Sequence, residues 1–320
     1  MKAIVVTWGR SITRSKSLSD RLEAADFHAC PKFMSKKLNF LNYILASIET
    51  LKILLKERPL QVVAVAPPVF TVVIVWIYKI IFERKLILFV DLHNGVLRKE
   101  WRHWPLFKLI MKSCIVLSHN EVVRKRIDEV FGIKSYVLSD PLPRWGNLEN
   151  CLKSKSNELN VFVPFSFALD EPYAELLEAS RDLPDSVNLI VSGDYGKRYP
   201  TAAKEFPDVN FIGYVTDREY RDFVFSCDVI LCLTTGEDIQ MCALVEAIAL
   251  NKFVIASSTK VNREIFSDYI EIFCDNNNKS ISNTVSSVKV EASRGFRKDL
   301  RSQYNEFWLN DFHKIFKDRL

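Results

Sequence analysis

Apolar residues along this chain fall into short unbroken runs separated by longer amphipathic stretches. Lys2–Thr7 (KAIVVT), Val62–Ala66 (VVAVA), Lys85–Val90 (KLILFV), Ile115–Leu117 and Tyr136–Leu138 read as buried strands. Between them, Ser15–Leu22, Leu38–Lys56, Phe70–Phe82 and the stretch from Asn120 to Val130 read as helices. The longest of these repeats Leu38, Leu41, Ile44, Leu45, Ile48, Leu51, Leu54 and Leu55 at helical spacing and stops before Pro59. The pattern then restarts. Strands are predicted at Val161–Pro164, Leu189–Ser192, Val209–Ile212, Val229–Leu233 and Phe253–Ala256, with helices at about 171–181, 217–226 and 240–250 and a last one over Arg297–Lys317. Continuous apolar strands alternating with helices imply parallel sheets covered on both faces.

Residues Asp140–Glu158, with Pro141, Pro143 and Gly146 among polar residues, break every periodicity and make the best linker. The expected organisation is therefore two doubly wound α/β domains, 1–142 and 143–299, with the helix at 300–320 packing back on the first. Ligands of such sheets bind beyond the carboxyl ends of the strands, so the expected site is a central cleft that the two domains face.

Composition narrows the class. The 320 residues are 48% hydrophobic with 9 Gly and 12 Pro, which excludes disordered and collagen-like chains. Seven scattered cysteines show no metal-ligand spacing and suggest reduced thiols in a cytoplasmic protein; no metal site and no cleavable leader are expected. Val62–Phe82 approaches a membrane-spanning length, but Pro67-Pro68 divides it into strand and helix. Charge is uneven: residues 1–150 carry 24 Lys+Arg against 13 Asp+Glu, and residues 151–320 carry 20 against 26. A basic half can face nucleic acid, an anionic membrane or a phosphorylated substrate, and no nucleic-acid-binding signature is present.

Thr234–Ala256 holds the strongest chemical signal. A strand ends in a polar loop with Gly236, Glu237 and Asp238, a helix begins near Gln240, and another strand follows Asn251-Lys252. A helix start offers unpaired amides and a positive dipole end to phosphate. Glu246, about one and a half turns in, is placed to meet ribose hydroxyls, while Glu237 and Asp238 either meet sugar hydroxyls or cap the helix.

These residues resemble the GT-B glycosyltransferases of the glycogen-synthase/group-1 superfamily (glycosyltransferase family 4-like), in particular those of bacterial polysaccharide assembly. Asp238 and Glu246 have that superfamily's seven-residue separation, and Glu246–Ala256 matches the EA-apolar-x-G-x-P-V-I-A run that follows, with Asn251 for Gly and Phe253 for Pro. Leu189–Gly193, Phe211–Val215, Asp228–Ile230 and Asp170–Pro172 resemble further family segments, so the likeness covers most of residues 161–265. It implies a GT-B fold of two Rossmann-like domains, with a UDP- or GDP-linked sugar bound by the second. Glu246 would hold the ribose, amides at Gln240 and Met241 the diphosphate, and Glu237 or Asp238 the sugar. Gly193 would lie near the donor, and Lys197 would neutralise a phosphate. No cofactor beyond the co-substrate and no metal is implied, and the chain lacks the DxD motif of metal-dependent relatives. A sugar-nucleotide epimerase and an inactive scaffold would share much of this pattern.

In the first half, Asp91-Leu92-His93-Asn94-Gly95 directly follows a strand, and either Asp91 or His93 suits a general base on an acceptor hydroxyl. Ser118-His119-Asn120 follows another strand and suits a helix cap. Trp8, Gly9 and Arg10 are placed to line the acceptor side, with Arg10 or Arg14 meeting a phosphate. Lys32, Lys36, Lys37, Lys52 and Lys56 around the long amphipathic helix, and Trp101 and Trp104 among Arg98, Lys99, Arg102 and His103, suit an anionic lipid surface. The resulting expectation is transfer of a hexose from a nucleotide-sugar to a lipid-linked carbohydrate acceptor on the inner face of the cell membrane, with no nucleic-acid partner.

Overall fold

The computed structural model describes residues 3–9, 13–29, 39–97, 106–143, 145, 158–294 and 299–316. Arg10, the basic residues and tryptophans at 32–37 and 98–104, Cys30 and Cys151 lie outside them. The chain divides into two compact units: Met1–Pro141 with Phe307–Leu320, and Leu142–Glu306.

Unit 1 contains β1 (Ala3–Trp8), α1 (Thr13–Leu22), β2 (Ala25–Ala29), α2 (Asn39–Glu57), β3 (Gln61–Ala66), α3 (Val69–Ile81), β4 (Ile87–Leu92), α4 (Phe107–Met111), β5 (Ile115–Ser118), α5 (Glu121–Phe131) and β6 (Ser135–Val137). All strand pairs are parallel, in the order β2-β1-β3-β4-β5-β6. The order reverses between β1 and β3, which makes the ends of these strands the switch point of the sheet. The strands at the centre are buried on both faces, as their unbroken apolar runs require: all six residues of β3 are buried. Strand β2 (ADFHA) escaped the sequence reading because it is an edge strand, and only Ala29 in it is buried. Asn120 caps α5, its side chain accepting from the Val123 amide at 2.8 Å.

Unit 2 contains β7 (Leu159–Val163), α6 (Tyr173–Ser180), β8 (Val187–Ser192), α7 (Ala202–Glu205), β9 (Val209–Gly213), α8 (Asp217–Ser226), β10 (Val229–Cys232), α9 (Cys242–Ala249), β11 (Phe253–Ser257), α10 (Lys260–Phe266), β12 (Ile272–Cys274), α11 (Asn278–Ser286) and α12 (Val290–Arg294). Its strands run β9-β8-β7-β10-β11-β12, all parallel. Counted within the unit this is 3-2-1-4-5-6, the order of dinucleotide-binding sheets, with the switch point between β7 and β10.

The last helix, α13 (Leu300–Phe316), begins in unit 2 and ends in unit 1. In unit 2, Tyr304 stacks on Phe266 with rings 6.0 Å apart. In unit 1, Phe316 packs on Phe89 at 4.4 Å, and buried Trp308 donates its indole N–H to the Ser139 carbonyl at 2.8 Å. An indole buried this way gives up water, so its N–H must find such a partner. Among the described residues no helix is long and apolar enough to cross a membrane.

Candidate functional site

The second unit has a cavity of about 410 Å³ at its switch point. Its walls are the turns that leave β7, β8, β9 and β10 and the start of α9, and its lining includes Phe165, Gly193, Tyr214, Thr234, Met241 and Glu246. Gly193 sits at φ +100°, and a Cβ there would lie 2.3 Å from the Phe165 carbonyl oxygen, so the turns after β7 and β8 pass too closely for any side chain. Ser192 Oγ lies 3.4 Å from the Val163 carbonyl and 3.3 Å from that of Phe165, and stitches the same turns. The Glu171 carboxylate accepts from the Ser166 and Ala168 amides at 3.0 and 2.9 Å and fixes the loop after β7.

Helix α9 opens into this cavity through Met241, Cys242 and Ala243. Its N-cap, Met241, makes no side-chain cap hydrogen bond, and the first turn of the helix lines the cavity. Glu246 is buried and lines the same cavity, where Tyr220 Oη donates to its Oε2 at 2.7 Å.

Other residues singled out in the sequence lie elsewhere. Lys197 is exposed and paired with Asp194 at 2.7 Å, outside the lining. Glu237 accepts from the Lys260 amide at 2.8 Å, so it caps α10, the helix after the one its position suggested. Asp238 and Gln240 do not line the cavity; the buried Gln240 amide has neither its oxygen nor its nitrogen hydrogen-bonded. Tyr220 was not foreseen. It comes from a different helix, and its chemistry shows only once α8 is folded beside α9.

The first unit holds a buried polar cluster where β4 and β5 end. Arg14, on α1, is 3% exposed. It donates from Nε to Asp91 Oδ2 at 2.9 Å, from Nη2 to Asp91 Oδ1 at 2.8 Å, and from Nη1 to Asp140 Oδ1 at 2.7 Å. A guanidinium gripped by two carboxylates is unavailable to an external phosphate, which corrects the role expected for Arg14. Burial alone would raise the Asp91 carboxyl, but Arg14 and then His93 outweigh it and hold Asp91 well below the usual carboxylate range. Asp91 is 1% exposed and fully engaged, so it cannot take a proton from an acceptor.

His93 is different. Its side chain is 27% exposed, and its Nε2 lies 3.1 Å from Asp91 Oδ2. Donation of Nε2–H to that carboxylate leaves Nδ1 as the basic nitrogen. The short helical turn Asn94–Leu97 that follows lies against Pro67, where a Cβ on Gly95 would meet the proline ring at 2.8 Å. The His119 ring lies 5.9 Å away. Burial, and then the neighbouring His93, lower its pKa to about 4, so His119 is neutral at pH 7. Trp8 spends its indole N–H on Thr50 Oγ1 at 2.9 Å and stacks on Tyr43, which ties β1 to α2; Gly9, at φ +112°, leaves open space. Among the described residues no group of three or more His, Cys, Asp or Glu is placed to hold a metal.

Two doubly wound parallel sheets define the GT-B fold of two Rossmann-like domains, and solved structures agree. Sucrose-phosphate synthase from Thermosynechococcus elongatus superposes with a TM-score of 0.71 at 11% identity, covering 99% of this chain and 98% of that one. Anabaena HepE, solved with UDP-glucose, gives 0.65 at 13% identity over 98% and 100%. The lipopolysaccharide outer core galactosyltransferase WaaB gives 0.62 at 12% over the full length of both. No curated protein matches the sequence. Residues 153–304, nearly all of unit 2, match the family described as glycosyl transferases group 1.

Proposed function

We propose that this protein transfers a hexose from a nucleotide-diphospho-sugar, UDP- or GDP-linked, to a carbohydrate acceptor. The observation that carries this reading is the cavity at the unit 2 switch point, where the α9 amides and buried Glu246 meet in one lining. The amides and dipole of α9 would hold the diphosphate and Glu246 the ribose, without a metal. The group-1 match and the UDP-glucose found in HepE support it. In unit 1, His93 is the group suited to take the acceptor's proton, oriented by Asp91.

The wild type is expected to gain thermal stability with UDP or GDP and their sugar conjugates. Ligand at 100 times its dissociation constant adds about 2.7 kcal/mol to the native state. Glu246→Ala should weaken that binding by about 10–100-fold, the worth of hydrogen bonds to a charged group. A shift with no nucleotide would sink the donor reading.

The acceptor is proposed to be lipid-linked, in assembly of surface polysaccharide or glycolipid at the inner membrane face. Unit 1 supports this with exposed Ile81, Phe82, Leu106 and Leu109, next in sequence to Arg84, Lys85 and Lys108, and with exposed Ile44, Ile48 and Leu55 on α2 near Lys52 and Lys56. Apolar side chains flanked by cations suit insertion among anionic headgroups. The protein is expected to sediment with phosphatidylglycerol vesicles, to do so less as salt rises, and to lose the interaction in an Ile81→Glu/Phe82→Glu variant. Equal sedimentation of wild type and variant would refute membrane docking by this face.

A further inference from the structure

We propose that Tyr220 is a positioning residue for the nucleotide: its phenol sets the Glu246 carboxylate in the orientation that receives a ribose hydroxyl. The inference rests on the donor reading above and adds a specificity-determining residue to it.

Glu246 reaches the cavity from α9 on a flexible side chain with three rotatable bonds, and a carboxylate so placed accepts a ribose hydroxyl only if one rotamer is held. Tyr220 supplies that hold. It lies 26 positions away in sequence, on α8, and donates to Glu246 Oε2 at 2.7 Å, and both side chains line the same cavity. The donor is itself fixed. The Tyr220 ring meets the fully buried Phe162 ring at 5.6 Å, nearly edge-on, and Phe162 stacks on Phe223 one turn further along α8. Thr216 and Glu219 close a reciprocal capping box at the start of α8. At the other end Lys252, in the turn after α9, donates to the Phe225 carbonyl and, at 2.8 Å, to that of Cys227. The capping box fixes the start of α8, Lys252 ties the C-terminal ends of the two helices, and the Tyr220–Glu246 bond is the tie that faces the cavity.

Burial, and then the Glu246 charge, push the Tyr220 phenol well above its usual range, so it remains a donor throughout physiological pH. A phenol that always donates commits one carboxylate oxygen and fixes the plane of the group. The ligand hydroxyl then meets an acceptor of set direction, and an analogue lacking that hydroxyl forfeits a hydrogen bond to a charged group.

Tyr220→Phe keeps the ring and its contact with Phe162 while removing only the donor. The test is calorimetric titration of wild type and Tyr220→Phe with UDP and GDP and with their 2′-deoxy and 3′-deoxy analogues. Wild type should prefer the ribonucleotide over one deoxy analogue by about tenfold. Tyr220→Phe should bind the ribonucleotide about 5–10-fold more weakly and that deoxy analogue as well as wild type does, so the preference collapses. Unchanged binding of the deoxy form also shows that the variant is folded. A Tyr220→Phe that keeps the wild-type ratio overturns this inference and leaves the donor reading standing. A wild type that binds no ribonucleotide overturns both.

Discussion

His93→Ala is expected to lower kcat by about 10²–10⁴-fold, the usual worth of a positioned acid–base group, while nucleotide affinity stays unchanged. The asymmetry follows from placement. His93 belongs to unit 1, whereas every residue lining the proposed nucleotide cavity belongs to unit 2. The imidazole has the features a base needs. It is 27% exposed, it follows β4 at the carboxyl edge of the sheet, and a buried carboxylate 3.1 Å from its Nε2 fixes its tautomer. Steady-state rates with a nucleotide-sugar and acceptor, alongside calorimetric affinity for the free nucleotide, check the prediction. A variant with kcat within about threefold of wild type would remove His93 from the chemistry, since that is far below the smallest contribution expected of a general base.

The second large effect concerns stability. Arg14→Leu should destabilise unit 1 by about 3–5 kcal/mol, because it leaves two buried carboxylates without their cation. The pH dependence has a definite sign. In the wild type the Asp91 pKa is depressed, so its stabilising contribution is complete above about pH 3.8, the ordinary aspartate value, and is lost only in stronger acid. Without Arg14 the strongest influence opposing burial of Asp91 is gone, and its folded pKa moves upward. The variant then pays most where Asp91 is forced to ionise and least where it is protonated. Its deficit should narrow as pH falls from 7 towards 4. Urea unfolding of both proteins across that range measures it, and a deficit that is constant or grows in acid would contradict the arrangement. Arg14→Lys should recover only part of the loss, since an ammonium cannot reproduce the fork that engages Asp91 through Nε and Nη2 and Asp140 through Nη1.

Much of the fold was legible because buried parallel strands leave unbroken apolar runs, as in VVAVA and KLILFV. What escaped were elements whose residues do not need burial on both faces, such as β2 and the short β12. The region proposed to bind the donor draws its sequence signal from one local segment, Thr234–Ala256, since strand, turn and helix N-terminus are contiguous there. Its two departures from the superfamily pattern have structural accounts. Asn251 occupies a left-handed conformation at φ +49°, which asparagine tolerates better than most residues, and its Oδ1 accepts from the Arg301 amide at 3.1 Å. Phe253 opens β11 and packs its ring against the unit 2 core. Roles that depend on partners far apart in sequence were not legible. Arg14 reads as one of two candidates to meet an acceptor phosphate until Asp91 and Asp140, 77 and 126 positions away, close around it. The Lys197 pairing with Asp194 at 2.7 Å, on an exposed turn, likewise has no signal in the sequence.

The missing side chain at Gly193 has one more consequence. Because it lets two loops lie in direct contact, with Ser192 and Glu171 bonding the backbone that leaves β7, that wall of the cavity is completed during folding. Conformational entropy that a floppy wall would surrender at each encounter has been surrendered once, when the chain folded. An incoming nucleotide gives up its own freedom but orders little of this wall. Selection among ligands at this wall therefore rests on shape and hydrogen bonding, with little left to loop closure.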